Sequence, residues 1–144
     1  MSFTLDISKF VEKAKVNPAA ATKKAFFEVS NRIVLRTPVL DGFLRNNWQA
    51  GVNSPKLSRI DTADVNGGAA KTSIDLASKA KTSNDFTLYL NNNLPYARTA
   101  EFGLWPDGPG TVGGYSRKAP QGMVRVSLAE FQNELDKAAR SLNK

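Results

Sequence analysis

Two residue types are absent from this sequence, whose 144 residues include no cysteine and no histidine. Without cysteine, the chain forms no disulfide and offers no thiolate to a metal ion. Without histidine, it lacks the commonest metal ligand and the commonest general base at neutral pH. Carboxylate, lysine and tyrosine chemistry stays open, so these absences disfavour an enzyme without excluding one.

Long apolar runs are missing as well. No stretch approaches the roughly 18 apolar residues that are needed to cross a bilayer. The first residues, Met1–Asp6, lack the basic segment and apolar run of an export signal. We therefore expect a soluble protein that is made and used inside a cell, with no membrane partner.

Positive charge is concentrated near the N-terminus. The formal net charge is +7, and residues 1–59 hold ten Lys or Arg against four Asp or Glu. A candidate basic face on the N-terminal helix consists of Lys23, Lys24 and Arg32. Such a face indicates either a nucleic-acid-binding surface or, more commonly, a solvated helix face. Neither an arginine-rich block nor an alternating aromatic–basic pattern sharpens the nucleic-acid case.

Apolar spacing predicts helices at both ends of the chain. A short helix is predicted over residues 6–14, and Asn17–Pro18 restarts a long amphipathic helix that runs to about Arg36. Near the C-terminus, residues 120–123 open a second amphipathic helix that runs to about Leu142. Each helix must bury its apolar side, and the two are expected to pack across a sheet.

The middle of the chain predicts that sheet. Strands are predicted over Phe43–Val52 and Phe86–Leu90, with a short helix between them that Thr72 or Ser73 caps and that ends near Lys81. The fold class is therefore α+β, a small antiparallel or mixed sheet packed against a long N-terminal helix and a C-terminal helix, with long Gly/Pro-rich loops. A length of 144 residues and an apolar fraction of 41% fit a single domain.

That predicted domain has four parts. They are a helical N-terminal segment (1–37), a sheet with short helices (38–103), an extended loop (104–118) and the C-terminal helix (119–144).

A strand–turn–helix corner lies over residues 91–103. Asn92 and Asn93 suit a turn and a helix cap, and Pro95 fits a first helical turn. Gly103 reaches the left-handed conformation that ends helices. Glu101 stands three residues after Arg98, the spacing of a weak surface ion pair.

Two stretches predict long loops. Asn53–Ala70 is polar and is expected to form a loose hairpin or an extended arm. Leu104–Tyr115 contains four glycines and two prolines, which preclude a long regular element. It lacks the Gly-Lys-Ser/Thr ending of a nucleotide loop. Trp105 and Tyr115 give it apolar anchors, which suits an arm that docks on a neighbouring molecule.

No catalytic, cofactor-binding or metal-binding residue is predicted. Asp61 with Asp64, and Asp75 with Asp85, lack the spacing of a calcium loop. No serine stands in a nucleophile elbow. We therefore expect neither a cofactor nor an active site.

Three segments together resemble a family of tailed-bacteriophage structural proteins, the neck and tail-completion group that joins head to tail. The segments occur in the family's order and cover about a third of the chain. They are Thr37–Gln49 (TPVLDGFLRNNWQ), Asn91–Gly103 (NNNLPYARTAEFG) and Tyr115–Gln132 (YSRKAPQGMVRVSLAEFQ).

The resemblance implies a virion protein that is assembled in the host cytoplasm and located at the head–tail junction. It implies a hexameric or dodecameric ring, acting as a neck protein or tail terminator. Partners would be the head connector or head-completion protein and the tail-tube protein. DNA would pass through the lumen without sequence-specific binding. The alternative function is a basic nucleic-acid-binding module without catalysis.

In such a ring, seven residues are candidates for contact with a neighbouring subunit. For the aromatic residues Trp48, Tyr96 and Phe102, the sequence leaves open whether each belongs to the core or to an interface. The candidate contact residues are Trp105, Tyr115, Arg45, Trp48, Tyr96, Glu101 and Phe102.

Overall fold

The computed structural model describes residues 5–39 and 41–142, so the ends of the predicted domain, residues 1–4 and 143–144, and residue 40 lie outside this description. Within these ranges the predicted α+β class is confirmed. The elements are α1 (Ser8–Ala14), α2 (Pro18–Arg36), α3 (Phe43–Asn46), β1 (Trp48–Val52), α4 (Gly68–Lys79), β2 (Leu88–Asn92), α5 (Tyr96–Phe102), β3 (Thr111–Val112), β4 (Tyr115–Ser116) and α6 (Val124–Ser141).

The strands form two small antiparallel sheets. β1 pairs with β2 so that Trp48 lies opposite Asn92 and Val52 opposite Leu88. β3 and β4 form a separate two-residue hairpin. Helix α4 packs on β1, where the backbone N–H of Ala50 donates to Oγ of Ser73 at 3.0 Å. The edge of β1 that faces away from β2 is therefore covered by a helix.

Both strand predictions need correction. Phe43–Asn46 is the helical turn α3, not the first half of a strand, because the Asp41 carboxylate accepts the N–H of Phe43 at 3.0 Å and starts a helix. β2 begins two residues later than predicted. Its pairing with β1 ends at Asn53, whose side chain and backbone both bond to Thr87.

The long amphipathic helices occur where the sequence places them, in α2 and α6. The helix nearest the N-terminus, α1, is short, and the long helix of the N-terminal segment is the second one. Asn17 caps α2 by accepting the N–H of Ala20 at 3.0 Å. α4 begins at Gly68 and not at Thr72 or Ser73, because the Asp64 carboxylate accepts the N–H of Gly68 at 3.0 Å.

One hydrophobic cluster joins α2, α3, β1, α4, α5 and α6. Val34, Ile74 and Met123 are fully buried in it. Trp48 is 6% exposed, and its indole N–H donates to Oγ1 of Thr37 at 2.8 Å. Trp48 therefore belongs to the core. At the surface, α2 and α6 are joined by two ion pairs, Arg32–Glu134 and Arg36–Glu130.

Candidate functional site

Four side-chain amides project from one face of the β1–β2 sheet. Gln49 lies directly opposite Asn91 in the strand pairing, whereas Asn47 comes just before β1 and Asn93 just after β2. All four amides bind the same neighbouring segment, so together they form a polar layer. The opposite face carries Trp48 and belongs to the core.

This amide layer binds the backbone of residues 56–62, which we call the tethered segment. Near its start, Nδ2 of Asn91 and Nδ2 of Asn93 donate to the carbonyl of Lys56 at 2.6 and 3.0 Å. Nε2 of Gln49 and Nδ2 of Asn93 donate to the carbonyl of Ser58 at 2.6 and 2.7 Å. Side chains thus take the place of a neighbouring strand.

The far half of the tethered segment is bound in the same way. Asn47 is fully buried, donates to the carbonyl of Ile60 at 3.0 Å and accepts the N–H of Ile60 at 2.8 Å. Asn46 donates to the carbonyl of Thr62 at 2.8 Å. The predicted loose hairpin or arm over residues 53–70 is therefore corrected over this stretch, which lies fixed along the sheet.

A second polar centre joins α5 to α6. Glu101 is 4% exposed, and its carboxylate accepts the backbone N–H groups of Met123, Val124 and Arg125 at 2.7–3.2 Å. It also accepts Nε–H of Arg125 at 2.9 Å, and this hydrogen bond raises the pKa of Arg125. The charge sits at the positive end of the α6 dipole.

Glu101 is therefore an internal helix cap. The predicted surface ion pair between Glu101 and Arg98 is wrong, since the carboxylate is directed at Arg125. As buried residues, Glu101 and Trp48 present almost no surface to a neighbouring subunit.

The β3–β4 hairpin is fixed at its turn, Gly113–Gly114. The N–H of Trp105 donates to the carbonyl of Gly114 at 3.0 Å. Gly103, which ends α5 in the left-handed conformation as predicted, lies against the ring of Tyr115. The hydroxyl of Tyr115 accepts a hydrogen bond from Arg125 at 3.3 Å. Through Tyr115, the hairpin thus contacts the same Glu101–Arg125 centre that lies at the start of α6.

We expect Gly114→Ala to detach this hairpin. Gly114 has φ +85°, and a Cβ there would overlap the carbonyl oxygen of Gly103, so the change should cost at least about 2 kcal/mol locally. Trp105 fluorescence should then report a more solvated indole. Gly110→Ala is the matched control, because a Cβ at Gly110 meets no atom within 4 Å. An unchanged spectrum in Gly114→Ala would contradict the expectation.

The other candidate contact residues differ in how much of each side chain is free to contact a neighbouring subunit. Arg45 is occupied within the chain: its guanidinium donates to the carbonyls of Val65, Leu35 and Thr37 at 2.8–3.0 Å, and burial lowers its pKa. Tyr96 is 38% exposed, with a pKa that burial raises. Phe102 is half-buried beneath the guanidinium of Arg125, 4.5 Å from the ring centre.

Two members of the predicted basic face are engaged inside the subunit. Nζ of Lys23 donates to the carbonyl of Ala80 at 2.9 Å and lies over the ring of Phe86. Arg32 forms a two-pronged ion pair with Glu134, which raises the pKa of Arg32. Lys24 is exposed. The three cations thus do not form an unoccupied basic surface.

Across residues 5–39 and 41–142, no cluster of acidic side chains is arranged to hold a metal ion. Over the same ranges, none of the helices has the length and apolar character needed to span a membrane.

One comparison decides the family. The sequence model of the family described as "Bacteriophage HK97-gp10, putative tail-component" matches residues 2–103, well over half of the chain. The chain belongs to this family. Neither the proteins of curated function nor the solved structures yielded a match.

Membership in the HK97-gp10-like family confirms the resemblance to a family of tailed-phage structural proteins. It indicates a bacteriophage structural protein of the virion that interacts with other phage structural proteins. The segments Thr37–Gln49 and Asn91–Gly103 lie inside the match, whereas Tyr115–Gln132 lies beyond it. The amide layer and Glu101 thus fall in the matched part, and the hairpin and α6 fall outside it.

Sequence reasoning missed the amide layer. Amides at alternate positions occur in both Asn47–Gln49 and Asn91–Asn93, but polar residues at alternate positions of a strand usually indicate a face exposed to water. The sequence therefore did not show that a backbone lies against these residues. The capping role of Glu101 left no local signal either, because its partners lie more than twenty residues away.

Proposed function

We propose that copies of this chain assemble into a ring at the head–tail junction of a tailed phage. The protein would be a neck or tail-completion protein, with DNA passing through the lumen of the ring. Its neighbours would be the connector or head-completion protein on one side and the tail-tube protein on the other. The ring would hold six or twelve copies. Its role is structural and not catalytic, in keeping with a family of tail components.

The observation that carries this proposal is a pair of exposed apolar residues on and beside a hairpin whose turn is fixed to the rest of the chain. Leu104, before the hairpin, is 58% exposed and Val112, in β3, is 47% exposed, while Trp105 and Arg125 bond to Gly114 and Tyr115 at the turn. Exposed apolar residues on a fixed element suit a contact with a neighbouring copy. A contact between two different surfaces of identical subunits generates a ring when its rotation closes.

Four of the seven candidate contact residues remain in this proposal. We propose that Trp105 and Tyr115 support the hairpin, and that Tyr96 and Phe102 border the surface that meets a neighbour. Trp48 and Glu101 are withdrawn because each is buried inside the subunit. Arg45 is withdrawn because three backbone carbonyls already occupy it.

The ring predicts a specific loss of assembly. Leu104→Ser combined with Val112→Ser should leave the melting temperature unchanged, because both side chains are exposed, but should convert rings into smaller species. Light scattering and negative-stain microscopy measure the outcome. Leu76→Ser is the matched control, since Leu76 is 67% exposed on α4, away from the hairpin. Rings that survive the double change would contradict the role of the hairpin.

Placement at the head–tail junction needs a separate experiment in the phage. If the protein joins head to tail, deletion of its gene should yield heads and tails that fail to join. If it completes the tail, deletion should yield tails with defective ends. Microscopy of the particles and plaque counts measure this, with the gene supplied in trans as the control. Normal, infectious particles after deletion would refute the placement.

A further inference from the structure

The tethered segment is held by one edge only. Carbonyls at residues 56, 58 and 60 accept hydrogen bonds from the amide layer, and the carbonyl of residue 62, on the same side, accepts one from the adjoining Asn46. In an extended chain, successive carbonyls point to opposite sides. The backbone groups of the residues in between must therefore point away from the sheet.

That outer edge is open to solvent. Among the described residues, none donates to or accepts from the backbone of Leu57, Arg59 or Asp61. Leu57 is 87% exposed, and the side chains of Arg59 and Asp61 are 57% and 92% exposed. A fixed strand with a free row of donors and acceptors is a template for pairing with another strand.

We propose that the tethered segment pairs, antiparallel, with the same segment of a second copy of this chain. Only the odd-numbered residues present their backbone groups outward, so each hydrogen-bonded pair must join two odd-numbered residues. Three registers near the centre of the segment satisfy this condition. They are centred on Ser58, Arg59 and Ile60.

Charge selects the register centred on Ile60. There, Arg59 lies opposite Asp61 of the second copy, and Asp61 opposite Arg59 of the second copy, so that two cross-strand pairs are attractive. Leu57 then lies opposite Ala63. The register centred on Arg59 would instead place two arginines directly opposite each other, which destabilises a strand pair. The register centred on Ser58 would place Arg59 opposite Leu57 and would gain no attractive charge pair. The segment thus complements itself in one register.

This contact has two-fold symmetry, because both copies use the same surface. It differs from the contacts of the proposed ring, each of which joins two different surfaces of neighbouring copies. The tethered segment and the β3–β4 hairpin belong to separate parts of the chain. Loss of one contact is therefore distinguishable from loss of the other.

A cysteine cross-link tests the register directly, because the natural chain has no cysteine. In the proposed pair, the two Ile60 residues form a non-hydrogen-bonded pair with Cα atoms about 4.5 Å apart, within disulfide reach. The Ile60→Cys chain should form a covalent dimer under a mild oxidant. Leu57→Cys is the matched control: it is more exposed, but its two copies would lie about 20 Å apart. Equal cross-linking of both variants, or none by Ile60→Cys, would overturn the proposal.

Charge reversal tests the pairing of Arg59 with Asp61. In the Ile60→Cys chain, Arg59→Asp or Asp61→Arg alone should slow cross-linking about tenfold, because both attractive pairs become repulsive. Mixing the two reversed chains should restore the rate, since every pair is then of opposite charge. Melting temperatures should stay unchanged in each variant. Reversals without effect, or a mixture that stays slow, would overturn the proposal.

Discussion

Replacing Glu101 by alanine is expected to destabilise the chain by about 2–4 kcal/mol, the largest effect that we expect of a single polar side chain here. The change leaves the N–H groups of Met123, Val124 and Arg125 without their acceptor at a buried helix start. It also removes the negative charge that faces the positive end of the α6 dipole. Urea unfolding followed by circular dichroism measures the free energy of unfolding.

Two further variants isolate the cause. Glu101→Gln keeps one acceptor oxygen and loses the charge, so it should cost less than Glu101→Ala. Glu12→Ala is the control for a glutamate that is exposed in α1, and it should change stability by no more than about 0.5 kcal/mol. A Glu101→Ala chain as stable as Glu12→Ala would show that α6 does not depend on this cap.

Replacing Asn47 by alanine is expected to cost about 2–3 kcal/mol. Asn47 is fully buried, and its amide satisfies both the N–H and the carbonyl of Ile60 as well as the carbonyl of Phe43. Alanine leaves these groups unpaired and frees the tethered segment at its centre. Hydrogen exchange should then show faster exchange at Ile60, and urea unfolding should show the lower stability.

The matched control is an asparagine without these bonds. Asn133 is exposed on α6, where alanine is a better helix former, so Asn133→Ala should be neutral or slightly stabilising. Asn47→Asp should also lower the stability, because it loses both donated hydrogen bonds although it keeps the acceptor for the N–H of Ile60. Protection at Ile60 that survives Asn47→Ala would mean that the other amides suffice to hold the segment.

The sequence predicted those parts of the fold whose signals are local. α2 and α6 follow from apolar residues at three- and four-residue spacing, and the start of α2 follows from Asn17 and Pro18. The end of α5 at Gly103 follows from the left-handed conformation that glycine adopts. In each case the residues that decide the structure lie within one helical turn of it.

The errors have two causes. Two of them are local: Phe43–Asn46 has an alternating pattern that also fits a strand, but Asp41 bonds the N–H of Phe43 at the start of a helix, and α4 begins early because Asp64 bonds the N–H of Gly68. The third depends on a distant partner, because α6, which Glu101 caps, begins more than twenty residues after it. The family resemblance identified the group of proteins but carried no information on these contacts.

The cap at Glu101 also bears on how such proteins diversify. Glu101 lies within residues 2–103, which match the family, whereas α6 lies beyond them. Its carboxylate accepts three main-chain N–H groups, which nearly every amino acid supplies, and one side-chain N–H, that of Arg125. A C-terminal helix of quite different sequence could therefore begin at the same place if it kept an arginine at position 125 and apolar residues toward the core. A phage lineage could then exchange most of this helix and leave the rest of the chain unchanged.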